Sequence, residues 1–140
     1  RNHRQNLGDG ILIKDNHIAA MQAIGHTITS IVELAKNQAP HALRIEIEVE
    51  SKDQALEAMQ AGADVLLLDN MSAQEIREII PHLNNSLITE ASGGITLDSV
   101  EEIARTGVNV ISIGAITHSA PALDLSLDIV QAFNVDSPKR

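Results

Sequence analysis

The chain has no cysteine, no tryptophan and no tyrosine, and a single phenylalanine among its 140 residues. Without cysteine there is neither a disulfide framework nor thiolate chemistry, which fits a reducing cytosol. Without aromatics the core must be built from Ile, Leu, Val and Ala, the residues that fill parallel β-strands covered by helices. Long apolar runs are missing as well, so no transmembrane helix is expected. No secretory leader is visible, and the first residue is Arg1 rather than Met, which leaves room for an upstream part.

Positive charge is also scarce. Ten Lys and Arg stand against nineteen Asp and Glu, a net charge of -9. That balance argues against non-specific nucleic-acid binding, which needs a basic face. It leaves room for anionic small substrates, because a few local cations and backbone amides override the global sign. Such cations gather at the start of the chain, at Arg1, His3, Arg4 and Lys14, while the remainder is mostly acidic. What is present in quantity is aliphatic residue, and 44% hydrophobic content suffices for the core of one domain.

The pattern along the chain alternates strand and helix. Arg1 to Gly10 reads as loop, polar and without periodicity. Ile11 to Ile13 is a short strand, with Lys14, Asp15, Asn16 and His17 at its C-terminal end, and Ile18 to His26 is a short helix or ordered loop cut by Gly25. A helix capped by Thr27 or Thr29 follows and is stopped by Asn37, Gln38 and Pro40. In Leu43 to Glu50, apolar Leu43, Ile45, Ile47 and Val49 alternate with Arg44, Glu46, Glu48 and Glu50, a period of two. Ser51 to Gln54 and Ser72 to Glu75 are capping boxes. The first opens a helix with Leu56 and Met59 inward, ended by Gly62; the second carries an Ile76, Ile79, Ile80, Leu83 stripe that Pro81 ends early. Strands are expected at 63–68, 86–90 and 108–113, and helices at 97–105 and 123–133, with 134–140 a tail. Ala61 to Asn70 (A-G-A-D-V-L-L-L-D-N) and Thr106 to Ala115 (T-G-V-N-V-I-S-I-G-A) form a weak internal echo.

Five strands alternating with helices require parallel neighbours joined by right-handed crossovers. An open doubly wound sheet and part of a (β/α) barrel both satisfy that rule. The charged strand at 43–50 favours the barrel, with apolar residues outward under the helices and polar residues inward.

In either architecture the functional groups lie at the C-terminal ends of the strands. Every such end here is polar: Lys14 to His17; Glu48 and Glu50; Asp69 and Asn70; Glu90, Ser92, Gly93 and Gly94; Gly114, Thr117 and His118. Glu48 and Asp69 on adjacent strands form a carboxylate pair suited to Mg2+ directly or through water; the alternatives are ordinary turn residues or a salt bridge to Lys14. His3, Arg4 and Lys14 suit a substrate with several negative charges, or else belong to a flexible basic N-terminus. Ser92, Gly93 and Gly94, with Gly114, Ala115 and Thr117 or His118, are candidate phosphate cradles built from backbone N–H groups, although His118 equally fits as a helix cap. His26, His41 and His82 read as surface residues.

Six ordered segments resemble one family. They are N-H-R-x-N-L-x-D from Asn2, L-I-K-D-N-H-I from Leu12, E-I-E-V-E from Glu46, L-L-L-D-N from Leu66, E-A-S-G-G-I from Glu90, and I-S-I-G-A-I-T-H-S from Ile111 with L-D-L-S-L-D from Leu123. Together they resemble the carboxylating nicotinate-nucleotide pyrophosphorylases, or quinolinate phosphoribosyltransferases, from Asn2 to about Ile129. The resemblance implies an open α/β barrel preceded by a separate α/β sandwich domain. It also implies formation of nicotinate mononucleotide, carbon dioxide and pyrophosphate from quinolinate and phosphoribosyl pyrophosphate, with Mg2+, in NAD synthesis.

On that resemblance His3, Arg4 and Lys14 hold quinolinate, and Lys14, Glu48 and Asp69 are the catalytic set. Glu48 and Asp69 also serve ribose and metal, and Ser92, Gly93, Gly94, Gly114, Ala115 and His118 hold phosphate. It further implies a cytoplasmic homodimer or higher homo-oligomer with shared sites. Residues 1–133 then form only part of the barrel domain, without the sandwich and the first barrel strands, and such a piece is not expected to catalyse alone. A non-catalytic phosphosugar or nucleotide-binding module on the same fold, a relative using another pyridine acid, and an aldolase-like barrel with Lys14 as Schiff-base lysine are the alternatives.

Overall fold

The computed structural model describes residues 8–117 together with 123 and 125. Five parallel strands make one sheet: β1 (Ile11–Ile13), β2 (Ile45–Val49), β3 (Val65–Asp69), β4 (Ile88–Ser92) and β5 (Val110–Ile111). Between them run α1 (Asp15–Gln22), α2 (Ile28–Gln38), α3 (Lys52–Gln60), α4 (Ala73–Ile79) and α5 (Val100–Ala104). The spatial order is the sequence order, β1-β2-β3-β4-β5. With right-handed crossovers, an unreversed order puts every helix on the same face of the sheet, whereas a doubly wound sheet needs a reversal. Consecutive helices accordingly pack side by side, α1 on α2 through to α4 on α5. This is barrel topology, and among the described residues it does not close, because β1 and β5 are edges.

Register then sorts the side chains. Ile47 pairs with Leu66 and Val49 with Leu68, so these four share the helix-covered face, and all are fully buried. Truncating one of them, Leu66→Ala for example, costs about 3 kcal/mol by lost transfer energy and the cavity left behind. On the opposite face lie Glu46 and Glu48, then Val65, Leu67 and Asp69, then Ile88, Glu90 and Ser92. Along these strands the inner face is mostly apolar near the bottom and polar toward the C-terminal end. The barrel reading of the alternating glutamate strand is therefore correct.

The caps follow the sequence. Thr27 Oγ1 accepts from the Ser30 N–H, and Ser72 Oγ accepts from the Glu75 N–H while Glu75 reaches back to the Ser72 N–H. Such caps contribute about 1 kcal/mol each. At α3, Ser51 accepts from the Gln54 N–H, but the Gln54 side chain accepts from the Glu50 N–H rather than closing the box on Ser51. Pro81 ends α4 in a single 3-10 turn, Ile80–His82.

Several expectations need correction. The short helix expected from Ile18 starts earlier: α1 begins at Asp15, with Lys14 as its N-cap residue. Strand β4 runs on through Ser92, because Ala91 and Ser92 continue the pairing with Leu68 and Asp69; Glu90 is thus mid-strand. Helix α5 begins at Val100 instead of Leu97, since Ser99 Oγ accepts from the Thr96 N–H and holds a separate turn; Leu97 is 91% exposed. In α3, Met59 does pack partly buried against the core, Leu56 is half-buried, and the fully buried positions are Ala55 and Ala58. His26 is half-buried and its Nδ1 shares a hydrogen bond with Ser30 Oγ. The expected 123–133 helix and the tail lie outside the described residues, except that Leu123 and Leu125 are exposed.

Candidate active site

The site is built from what each strand does as it ends. At the end of β1 the chain passes directly into α1, and the Lys14 N–H donates to His17 Nδ1 at 3.0 Å. The next amide, that of Asp15, donates to Glu48 Oε2 of β2 at 3.0 Å. Glu48 Oε1 receives the Lys14 ammonium at 3.3 Å. Both oxygens of this buried carboxylate are therefore engaged, one by a helix-start amide and one by a lysine whose side chain is 55% exposed. Of the alternatives for Glu48, the salt bridge to Lys14 is the one formed. The arrangement fits the cost of burying a charge, which falls when the charge is both paired and hydrogen-bonded.

Strand β3 delivers Asp69 on the same face, one step further toward the C-terminal end than Leu67, the partner of Glu48. Its carboxylate accepts from Asn70 Nδ2 at 2.7 Å. Asn70 is the one non-glycine with positive φ among the described residues, at 54°. Its backbone N–H donates to the Ser92 carbonyl at 2.9 Å, so the exit of β3 is tied to the exit of β4.

After Ser92 the chain turns through Gly93 (φ 86°) and Gly94 (φ 61°), a region that side chains rarely adopt. Gly93 also has no room for a side chain, since a Cβ there would lie 2.6 Å from Asn70 Cγ and 2.8 Å from its backbone nitrogen. Strand β5 ends in the 3-10 turn Gly114–Ile116. Between these turns lies a cavity of about 350 Å3 lined by Ser92, Gly93, Gly94, Ser112, Gly114 and Ala115, among others. On the other side of the Gly93–Gly94 turn a groove of about 450 Å3 runs past Asn70 and Ser72. The two candidate phosphate cradles thus face one hollow.

Strand order puts Lys14, Glu48, Asp69, Ser92 and Gly114 in a row along one rim. His3, Arg4 and His118 lie outside the described residues. Three more residues complete the framework: His17 at the Lys14 amide and Asn70 between two strand exits, both expected at strand ends but without a role, and Ser112, which was not expected and whose hydroxyl donates to Glu90 Oε1. The period of two in Val110 to Ser112 carries the signal for Ser112, which places it on the inner face with Glu90.

A sequence model for the quinolinate phosphoribosyl transferase C-terminal domain matches residues 1–128. The chain belongs to that family. Among family relatives, the probable nicotinate-nucleotide pyrophosphorylase [carboxylating] of Bacillus subtilis is 45% identical over 128 residues, covering 91% of this chain and 43% of that protein. The human nicotinate-nucleotide pyrophosphorylase [carboxylating] is 38% identical over 140 residues, covering 98% and 46%. In three dimensions the crystal structure of NadC from Streptococcus pyogenes superposes with a TM-score of 0.77 at 38% identity, over 88% of this chain and 42% of that one. The chain therefore spans less than half the length of these relatives. As a quinolinate phosphoribosyl transferase C-terminal domain, it supplies βα units of an α/β barrel and the row of strand ends described above. Among the described residues no helix is long and apolar enough to cross a membrane.

Proposed function

We propose that the protein carrying this chain transfers the phosphoribosyl group of phosphoribosyl pyrophosphate to quinolinate with loss of carbon dioxide, giving nicotinate mononucleotide and pyrophosphate in NAD synthesis. The observation that carries this reading is the row of strand ends: a lysine on a carboxylate, a second carboxylate, then two glycine turns around one cavity. The names of the relatives, all nicotinate-nucleotide pyrophosphorylases, support it.

The chemistry divides along the rim. Lys14, with His3 and Arg4, binds the two quinolinate carboxylates, which explains local cations in an acidic chain. Glu48 holds the Lys14 ammonium in place. The turns at Ser92, Gly93 and Gly94 and at Gly114 and Ala115, together with His118, hold phosphate through N–H groups and side chains. As the bond from ribose C1 to pyrophosphate breaks, its electron pair leaves with the diphosphate, and positive charge grows on the ribose. Asp69, paired in register with Ser92 at the entry to the first phosphate turn, stabilises that charge. The quinolinate nitrogen bonds to C1; the bond from C2 to its carboxylate then breaks, carbon dioxide departs, and the electrons left at C2 take up a proton. The Lys14 charge lowers the energy of that electron density.

Magnesium, when bound, neutralises the diphosphate as it leaves. Among the described residues no three His, Cys, Asp or Glu side chains converge into a metal cage. Mg2+ commonly rests on one or two carboxylates plus waters and substrate phosphates. Asp69 is the direct candidate; Glu48 fits through water, because direct ligation would displace Lys14 or the Asp15 amide. The same reading carries a cytoplasmic homodimer or higher homo-oligomer with shared sites, supported by the family resemblance. The test is carbon dioxide release from carboxyl-labelled quinolinate by the protein as the cell makes it. Release that depends on phosphoribosyl pyrophosphate supports the proposal; binding of the donor without turnover would instead indicate a non-catalytic phosphosugar module.

A further inference from the structure

We propose that Asn70 is a positioning residue that locks the Asp69 carboxylate to the Gly93 turn, so that the ribose end and the phosphate end of the donor site are held as one unit. The inference rests on the phosphoribosyl-transfer reading of this site. Three features of Asn70 converge. Its backbone takes φ 54°, a conformation that Asn adopts more readily than most residues. Its N–H then points across to the Ser92 carbonyl, 2.9 Å away on β4. Its side-chain amide donates to Asp69 Oδ2 at 2.7 Å, and the same amide packs so closely on Gly93 that no Cβ fits there.

Asparagine supplies all three; glycine, aspartate and alanine do not. Glycine takes the backbone conformation but brings no amide. Aspartate tolerates the conformation, yet offers no N–H and sets a second negative charge against Asp69. Alanine has neither the amide nor an easy left-handed backbone. The carboxylate is thereby oriented by a group whose own position is fixed by the phosphate turn. Any shift of the Gly93 turn reaches Asp69 through one side chain.

The experiment is a double-mutant cycle in the protein as the cell makes it, comparing Asn70→Gly and Asn70→Asp on wild-type and Asp69→Ala backgrounds. Asn70→Gly, which keeps the backbone, is expected to lower kcat/KM for phosphoribosyl pyrophosphate by about tenfold or more, the usual scale for partners behind a functional carboxylate. KM for quinolinate is expected to stay within about twofold. Asn70→Asp should lose at least as much. On the Asp69→Ala background Asn70→Gly should cost less than about threefold further, because the group it acts through is gone. Equal, multiplicative losses on both backgrounds, or a wild-type Asn70→Gly enzyme, would overturn the proposal.

A second arm needs no turnover. In nitrogen-15-labelled protein the Asn70 side-chain amide resonances should move, and their protons exchange faster, when Asp69 becomes Ala. An Asn70 amide indifferent to that change overturns the coupling even if the reaction is confirmed. Failure of the parent protein to use quinolinate removes the functional reading alone and leaves this arm to decide the coupling.

Discussion

Asp64 and Asn109 make the same contact with two different strands. Asp64 Oδ2 accepts from the Ile45 N–H at 2.8 Å, and the Asp64 N–H donates back to the Ile45 carbonyl at 2.9 Å. Asn109 Oδ1 accepts from the Thr89 N–H at 2.8 Å, and the Asn109 N–H donates back to the Thr89 carbonyl at 3.0 Å. Each residue stands two positions after a helix-ending glycine of positive φ, Gly62 and Gly107. The echo between the two segments is thus a repeated device at the bottom of the sheet, away from the polar rim. Asp64→Ala and Asn109→Ala should each cost about 1–3 kcal/mol, the cost of a partly buried N–H left without its acceptor. Asp64→Asn and Asn109→Asp, which keep an acceptor, should lose less. Urea midpoints of the four variants decide this, and an alanine variant as stable as its conservative counterpart would count against the device.

The Lys14–Glu48 pair yields a prediction about division of labour. Lys14→Ala removes the cation and leaves buried Glu48, among the described residues, with the Asp15 amide alone. On the proposed function, kcat/KM for quinolinate falls by about 100-fold or more, the scale of one lost charge-stabilising group. Glu48→Gln keeps an acceptor for Asp15 but frees the ammonium, so it should raise KM for quinolinate less than Lys14→Ala does. Steady-state kinetics of both variants test the assignment. An unchanged kcat/KM for quinolinate in purified Lys14→Ala protein would remove Lys14 from the site.

Most of the architecture was legible because it is written in local chemistry. Ser72 and Glu75 announce a helix start that the structure contains, Gly62 and Gly107 announce helix ends, and the alternation from Ile45 to Val49 announces two different faces. The direction of those faces followed from strand order, which turns Glu48 inward beside Lys14. What local chemistry does not carry is how far pairing extends. Ala91 and Ser92 are neutral in propensity, and only the register with Leu68 and Asp69 keeps them in β4. Likewise Leu97 looks like the first apolar residue of a helix, yet the turn that Ser99 holds leaves it in solvent. Asn70 is legible as a strand-end residue, but its role is not, because that role depends on Gly93, which is remote in sequence.

The capping box at α4 has a pH signature. Two hydrogen bonds from Ser72, first from its hydroxyl and then from its backbone N–H, hold the exposed Glu75 carboxyl below its ordinary value of 4.5. A carboxyl whose pKa is depressed on folding contributes stability above its unfolded value and loses it as pH falls through the folded one. Glu75→Gln, which still fits a capping box, should therefore flatten part of the acid limb of the stability profile. Urea midpoints of both proteins at pH 7 and at pH values through the carboxylate range provide the check. Parallel profiles would show that the box contributes nothing to acid sensitivity.

Gly93 and Gly94 are adjacent, both have positive φ, and they should differ sharply in tolerance. At Gly94 nothing lies within 4 Å of a would-be Cβ, so Gly94→Ala meets only the intrinsic cost of a left-handed conformation, about 1–2 kcal/mol. At Gly93 the same backbone cost is joined by collision with the Asn70 side chain and with its backbone nitrogen, which cannot swing away while bonded to Ser92. Gly93→Ala should therefore destabilise by clearly more than Gly94→Ala, about 3 kcal/mol or beyond by strain and overpacking together. Because the collision falls on the residue that orients Asp69, it should also weaken binding of phosphoribosyl pyrophosphate in whatever protein remains folded. Thermal unfolding and donor-binding calorimetry on the two variants measure both effects. Equal losses would mean that the two glycines are needed only for their backbone conformation, and that the packing of Asn70 on Gly93 has no consequence for the site.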